Sequence, residues 1–269
     1  MIAKRYRTKP KLRLFLLTLL CPVTPSCGAA SQPAAASSPP RANTGQASPD
    51  RASSPVHGAG HGHAHGHRGD HHQAAAPLGH RFERAEQWAA RFDAPGRSKW
   101  QKPADVVALM DIQPGMTVAD IGAGTGYFLP YLAPAVGPRG KLLALDIEPD
   151  MVRYMKERAA RAGLSNVEPR TVKVDDPQLP AASVDRILIV NTWHHIPNRE
   201  QYAARLAAAL RPGGAIYVVD YTMESPRGPP RAHRIAARVV LRELTTAGLD
   251  VAVRSDVLPD QFIAIARLP

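Results

Sequence analysis

From about residue 80 onward the sequence predicts an α/β fold, a doubly wound and mostly parallel sheet with helices on both faces. Three observations predict it. Short apolar runs of strand length alternate with segments of helical periodicity. Most of the runs are largely apolar, as strands covered on both faces are, where a half-exposed strand would alternate apolar with polar. Gly and Pro punctuate the joints between segments.

Phe82, Ala85, Trp88, Ala89 and Phe92 recur at helical spacing until Pro95-Gly96 stops the run. A second short helix is expected over 103–110, because Pro103 suits a first turn and Pro114-Gly115 bars any continuation. Strands are expected at 117–121, 141–146, 166–174, 184–191 and 215–220, with helices around 127–135, 148–162 and 199–210 between them. A last helix near 232–247 leads to strands near 251–255 and 261–266, close enough to pair as an antiparallel edge.

The chain has 269 residues and a formal net charge of +11, unevenly placed. Residues 1–80 hold nine Lys and Arg against two Asp and Glu, a net +7, which leaves +4 for 81–269. With aromatics at 6%, no nucleic-acid partner is expected of the folded part. The basic excess reads as an address. Lys4, Arg5, Arg7, Lys9, Lys11 and Arg13 precede the apolar run Leu14 to Cys21, the layout of an export signal and too short for a membrane span. The run ends at Thr24-Pro25-Ser26-Cys27-Gly28, which resembles a bacterial lipobox and implies membrane anchoring through a lipid on Cys27. Thr24 and Pro25 depart from that pattern, so a cleavable signal with an incidental Cys, or an extension that is never exported, stays open.

The chain therefore divides into three regions: a signal at 1–27, a linker at 28–79 and a folded domain at 80–269. The linker is rich in Ala, Ser, Pro, Gly and His and poor in large apolar residues, a composition expected to stay disordered. Its tract over 57–72 makes His61, His63, His65 and His67 candidates for weak divalent-metal binding, with a low-complexity tether as the alternative. Both cysteines, Cys21 and Cys27, lie before the linker, which excludes a Cys-based zinc site and cysteine chemistry from the domain. No metal site is expected in the domain.

The chemistry is concentrated after the first strand. Val118-Ala119-Asp120-Ile121-Gly122-Ala123-Gly124-Thr125-Gly126-Tyr127 sets Gly122, Gly124 and Gly126 at every second position, where backbone can approach a ligand at the mouth of a helix. The spacing is G-x-G-x-G, whereas dinucleotide binders use G-x-G-x-x-G, which argues against a dehydrogenase. Asp120, two residues before the first glycine, suits an ammonium rather than a pyrophosphate. Twenty residues past Gly126, Asp146 ends the second strand, where a carboxylate can accept both hydroxyls of a ribose.

In these features the chain resembles class I S-adenosylmethionine-dependent methyltransferases over about residues 80–269. The family's glycine loop looks like Asp120–Gly126 and its ribose acid like Asp146, followed by Ile147. Its adenine-flanking acid looks like Asp175 in Asp175-Asp176-Pro177-Gln178-Leu179-Pro180. Its fourth-strand motif looks like 184–191, ending at Asn191 and followed by Trp193-His194-His195, and Leu210-Arg211-Pro212-Gly213-Gly214 is similar to its turn before strand five. The resemblance implies a seven-stranded sheet of order 3-2-1-4-5-7-6, S-adenosyl-L-methionine as cofactor, and a small-molecule acceptor, small or lipophilic. His194 is the candidate for acid-base work, being an imidazole in the loop after strand four, with His195 a weaker one. Tyr221 is a candidate to line the acceptor pocket, Trp88 and Trp100 read as core or lid more than as substrate clamps, and Arg231, His233 and Arg234 stand near the same rim as candidates for an anionic acceptor, with packing or solvation as the plain alternatives. Arsenic methylation, which relies on cysteines, is not expected. The alternative function is an exported ligand- or metal-binding lipoprotein on the same scaffold, without activity. Export is favoured by the N-terminus, the cytoplasm by the supply of cofactor.

Overall fold

The computed structural model describes Phe82–Pro269. The signal-like segment with Cys27, the linker and the His tract lie outside the described residues.

The sheet has seven strands in the order β3-β2-β1-β4-β5-β7-β6. They are β1 (Thr117–Ile121), β2 (Lys141–Asp146), β3 (Val167–Thr171), β4 (Val184–Val190), β5 (Leu210–Tyr221), β6 (Asp250–Arg254) and β7 (Gln261–Arg267). The first five pair in parallel, and β7 is antiparallel to both β5 and β6. The helices are α1 (Ala85–Phe92), α2 (Arg97–Gln101), α3 (Pro103–Leu109), α4 (Leu129–Val136), α5 (Pro149–Arg161), α6 (Arg199–Ala209) and α7 (Ala237–Thr246). This is the doubly wound architecture expected from the alternation of apolar runs and helical segments.

The continuous apolar strands divide their side chains between two cores. Ile121, Ile187, Ile189, Ile216 and Val218 face α6 and α7, where Leu206, Val240 and Leu244 meet them. Their neighbours Val118, Leu188, Tyr217 and Val219 face α3, α4 and α5, where Val106, Leu132 and Met155 meet them. Alternate residues of one strand thus fill two cores, and neither set can turn to water.

Several boundaries differ from expectation, each for a local reason. Pro95-Gly96 stops α1 but a new helical turn, α2, starts at once, with the Arg97 guanidinium donating back to the Phe92 carbonyl at 2.7 Å. The last helix begins at Ala237, five residues later than expected, because Arg231–His233 forms a separate 3₁₀ turn. There Arg234 is spent on holding the preceding loop, donating to the carbonyls of Thr222, Met223, Ser225, Arg227 and Pro229. Strand β5 begins at Leu210 and carries the Gly213-Gly214 turn inside it, with a register irregularity opposite Val184 and Arg186. Strand β3 ends at Thr171, short of the expected 174.

Candidate active site

The carboxyl ends of β1, β2, β4 and β5 converge on one cleft, the usual ligand position in an open α/β sheet. The glycine loop leaves β1 with positive φ at Gly122, Gly124 and Gly126. Gly122 is fixed by contact as well as conformation: a Cβ there would lie 2.4 Å from both Oγ1 and Cγ2 of Thr192. Thr192 begins the turn after β4, so the glycine lets that turn close against the loop.

Asp146 ends β2 buried, and its carboxylate ties two segments together. Its Oδ2 accepts the Gly124 N–H at 2.8 Å, and its Oδ1 accepts the Glu148 N–H at 3.0 Å. Burial raises its pKa, and these two N–H groups hold it down. A carboxylate has about four acceptor positions, so two backbone bonds leave room for a diol. Asp120, at the end of β1, is 3% exposed. Desolvation pushes its pKa up to about 7, with the Arg97 guanidinium opposing and Asp146 reinforcing the shift.

The other expected residues divide. Ile147 and Val174 are 45% and 47% exposed, two of the three exposed large hydrophobics among the described residues. They stand next to Asp146 and Asp175, an apolar surface left for a ligand at the ends of β2 and β3. Asp175 is exposed in the loop beyond β3, where its carbonyl accepts the Arg205 guanidinium; among the described residues no hydrogen bond joins it to the glycine loop. Asn191 follows β4 at φ 54. Its amide is engaged in a ring with two glutamines that sequence reasoning passed over. Gln101 Nε2 donates to Gln261 Oε1 at 2.7 Å, Gln261 Nε2 donates to Asn191 Oδ1, and Asn191 Nδ2 donates to Gln101 Oε1 at 3.4 Å. Gln101 and Gln261 are fully buried, so the ring pins α2 to the ends of β4 and β7.

His194 is held as a base would be. Its neighbour Trp193 is fully buried and donates its indole N–H to Glu243 Oε2 at 2.8 Å, while Arg199 donates to the same carboxylate at 2.9 Å. That anchor fixes the 3₁₀ turn Trp193–His195. His194 then points into the sheet end, where its Nδ1 lies 2.9 and 3.0 Å from the two carboxylate oxygens of Asp220. A carboxylate partner assigns the proton to Nδ1 and leaves the lone pair on Nε2. Asp220, 2% exposed at the end of β5, also accepts the Tyr221 N–H at 2.8 Å. Sequence reasoning missed Asp220, although an acid closing an apolar strand at this edge was a visible signal.

Aromatic rings cluster beside the glycine loop and the Trp193–His195 turn. Phe82 packs edge-on against Trp88 and His195, and Phe92 stacks on Trp88. On the other side Trp100 of α2 lies 6.0 Å from the Tyr221 ring. A cavity of about 620 Å³ beside it is lined by Arg97, Lys99, Trp100, Arg227 and Asp260 among others. Among the described residues no group of three or more His, Cys, Asp and Glu could hold a metal ion. None of their helices is long and apolar enough to cross a membrane.

Residues 118–214 match the family model described as a methyltransferase domain. Nocamycin O-methyltransferase of Saccharothrix syringae is 31% identical over 180 residues, 66% of this chain and 59% of that protein. Demethylmenaquinone methyltransferase of Listeria monocytogenes serotype 4a (strain HCC23) is 29% identical over 122 residues, 45% of this chain and 51% of that protein. A solved structure of a SAM-dependent methyltransferase from Aquifex aeolicus superposes with a TM-score of 0.64 at 30% identity, covering 68% of this chain and 98% of that one. The chain belongs to the class I S-adenosylmethionine-dependent methyltransferases. It spans between half and three-fifths of the length of these two curated relatives.

Membership makes S-adenosyl-L-methionine the cofactor of this methyltransferase domain, and the residues present fit it. Asp146 retains acceptor capacity for a ribose, Ile147 and Val174 offer exposed apolar surface for a base, and Asp120 is a buried acid suited to an ammonium. The glycine loop approaches with no Cβ at three positions.

Proposed function

We propose that this protein transfers the methyl group of S-adenosyl-L-methionine to a hydroxyl of a small-molecule acceptor, with His194 as general base and Asp220 as the residue that positions and stabilises it. The observation that carries this reading is the buried His194–Asp220 pair, which joins the loop after β4 to the end of β5. The Saccharothrix syringae relative, an O-methyltransferase by name, agrees with it.

When bound, the cofactor supplies a methyl group on a positively charged sulfur, already activated toward displacement. The chain's own task is to align a nucleophile, remove its proton and exclude water, and alignment alone can account for several kcal/mol of barrier. His194 Nε2 takes the hydroxyl proton as the acceptor oxygen forms its bond to the methyl carbon. In the displacement that the cofactor would supply, its sulfur would keep the electron pair of the carbon–sulfur bond. The imidazolium is stabilised by Asp220 and returns its proton to solvent. A base is needed only for a protonated nucleophile, so the built dyad favours a hydroxyl over an acceptor that needs no deprotonation. Phe82, Trp88 and Phe92 shut the cleft to water on one side. The acceptor enters by the cavity beside Trp100, whose ring lies near both Arg97 and Arg227 and suits a small molecule with a planar face.

The test uses the full chain. Calorimetry should show S-adenosylhomocysteine binding that Asp146→Ala abolishes, and radiolabelled cofactor should methylate members of a panel of small phenols and alcohols. His194→Asn should bind the cofactor product as the parent does but transfer no label. Label on carbon or nitrogen acceptors, retained in His194→Asn, would sink the hydroxyl reading.

A further inference from the structure

The loop after β5 and the helix α2 meet at the cavity of about 620 Å³ beside Trp100, and both bring cations to it. Arg97, Lys99 and Arg227 line it together with one acid, Asp260. Their hydrogen bonds separate their tasks. Arg97 spends its terminal nitrogens on the Phe92 carbonyl at 2.7 Å and Gln101 Oε1 at 3.2 Å, and its Nε is buried, so it acts on the cavity by charge. Arg227 gives Nε to Asp260 Oδ2 at 2.7 Å. Its two terminal nitrogens make no hydrogen bond among the described residues, and the Lys99 ammonium has no hydrogen-bond or ion-pair partner among them.

The position of Arg227 is built. Arg234 gathers the loop by donating to the carbonyls of Thr222, Met223, Ser225, Arg227 and Pro229. The Arg227 N–H donates to Ser225 Oγ at 3.1 Å, and Asp260 orients the guanidinium. Gly228 seats the loop on Tyr221: its φ is +85, and a Cβ there would lie 2.5 Å from Cδ2 of that ring. The Tyr221 ring stands 6.0 Å from that of Trp100, and the Arg227 guanidinium lies 5.6 Å from the Trp100 centroid. These contacts fix the free end of a guanidinium beside an aromatic face.

That end has a definite chemistry. Two parallel N–H donors match the two oxygens of a carboxylate, and Lys99 adds a mobile ammonium to the same cavity. Asp260 offsets one of the three cations, which suits a monoanion better than a phosphate dianion. Tyr221 follows Asp220, whose carboxylate holds His194, so this wall of the cavity and the proposed base hang on consecutive residues of β5.

We propose that the acceptor is a planar aromatic molecule bearing a carboxylate as well as its hydroxyl, with Arg227 and Lys99 binding the carboxylate and Trp100 packing on the ring. The proposal rests on the hydroxyl-transfer reading and adds to it the charge of the substrate and the residues that select it. Arg227 and Lys99 hold the end of the molecule that does not react, so their loss falls on KM more than on kcat.

The test uses the full chain saturated with S-adenosylhomocysteine and two probe pairs, 4-hydroxybenzoate and 3,4-dihydroxycinnamate, each against its neutral methyl ester. Calorimetry should show each acid binding about tenfold more tightly than its ester, the lower range for a charge-assisted pair because the Arg227 side chain is 50% exposed. Arg227→Gln should abolish the preference, Lys99→Gln should cut it about threefold, and ester binding should change by less than about twofold in either. Arg227→Lys, which keeps the charge without the fork, should restore part of it. With labelled S-adenosyl-L-methionine the same preference should appear in kcat/KM, through KM. Acid and ester bound alike by the parent, or a preference unchanged in both glutamine variants, would overturn the proposal and leave hydroxyl transfer standing. Should Arg227→Gln weaken acid and ester together, Lys99→Gln decides, and an undiminished preference there overturns the proposal. Label on no hydroxyl of acid, ester or other phenol, with S-adenosylhomocysteine still bound, would instead overturn the hydroxyl reading, and this proposal with it.

Discussion

The Asp120 carboxyl should make both stability and cofactor binding depend on pH in a way that one substitution removes. Its pKa stands at about 7 in the fold against 3.8 for the ordinary group, because burial disfavours the ionised form more than Arg97 favours it. A folded pKa above the unfolded one means that the stabilisation is complete below about pH 4 and is lost as pH rises through about 7. Three pH units at about 1.4 kcal/mol each set a ceiling of about 4 kcal/mol on that loss. Urea titrations of the ligand-free chain at pH 5 and pH 8 should therefore show a higher midpoint at pH 5. Asp120→Asn, neutral and of the same shape, should flatten the difference, leaving only the slope from groups such as Asp146. An ammonium set beside Asp120 reverses the preference, so cofactor binding should expel the proton. At pH 6 a group with a pKa near 7 is about nine-tenths protonated, so about 0.9 proton should be released per bound S-adenosylhomocysteine, falling to about 0.1 at pH 8. Calorimetry in buffers of different ionisation enthalpy counts that proton directly. A count near zero at pH 6, or the same count in Asp120→Asn, would refute the placement of Asp120 against the ammonium.

Other substitutions probe the dyad, the loop and the Trp193 anchor. His194→Asn and Asp220→Asn should each lower kcat by about 10²–10⁴-fold with S-adenosylhomocysteine affinity unchanged, since a positioned base contributes about that much and the two side chains hydrogen-bond each other rather than the glycine loop or Asp146 among the described residues; loss of cofactor affinity in either would show a structural role instead. Gly122→Ala should disrupt the loop, because its Cβ would meet Thr192 at 2.4 Å and a side chain is strained at φ +68. Thr192→Ala in the same chain should relieve the two 2.4 Å contacts but not the one at 2.9 Å to Thr192 Cβ, so that urea midpoints recover only in part, on top of about 1–2 kcal/mol of backbone cost. Trp193→Phe should cost about 1–3 kcal/mol by leaving the buried Glu243 carboxylate one donor short, and a loss below about 0.5 kcal/mol would show that the indole N–H adds nothing beyond packing. Read as an export signal, residues 1–40 should activate a reporter that works only outside the cytoplasm, with Cys27→Ser abolishing membrane retention; a silent fusion would place the enzyme with its cofactor supply.

The sheet was legible because its physics is local. Parallel strands covered on both faces are mostly apolar, and Thr117–Ile121, Lys141–Asp146 and Val184–Val190 show this without reference to anything distant in the chain. The glycine loop was legible for a similar reason, since three glycines two apart are costly unless the backbone needs them. Residues whose role is made by partners far along the chain were not legible. Gln101 and Gln261 are 160 positions apart and read as ordinary polar residues until the fold buries them against each other. Asn191 shows the same limit: its place at the end of a strand beside the cleft is visible in the sequence, but its bonds to the two glutamines are not.

His194 and Asp220 mark the border between these cases. The histidine was identifiable by its place after the fourth strand, yet a histidine alone does not declare a tautomer or a direction. Both come from Asp220, 26 positions on, and from Trp193, whose bond to Glu243 spans 50. An aspartate that closes an apolar strand is costly to bury unless a charged or donating group meets it. In a parallel sheet the loop at the carboxyl end of a neighbouring strand is well placed to supply that group, and β4 is the parallel neighbour of β5. The pair could therefore have been inferred from two features already in view, the histidines after one strand and the acid ending the next.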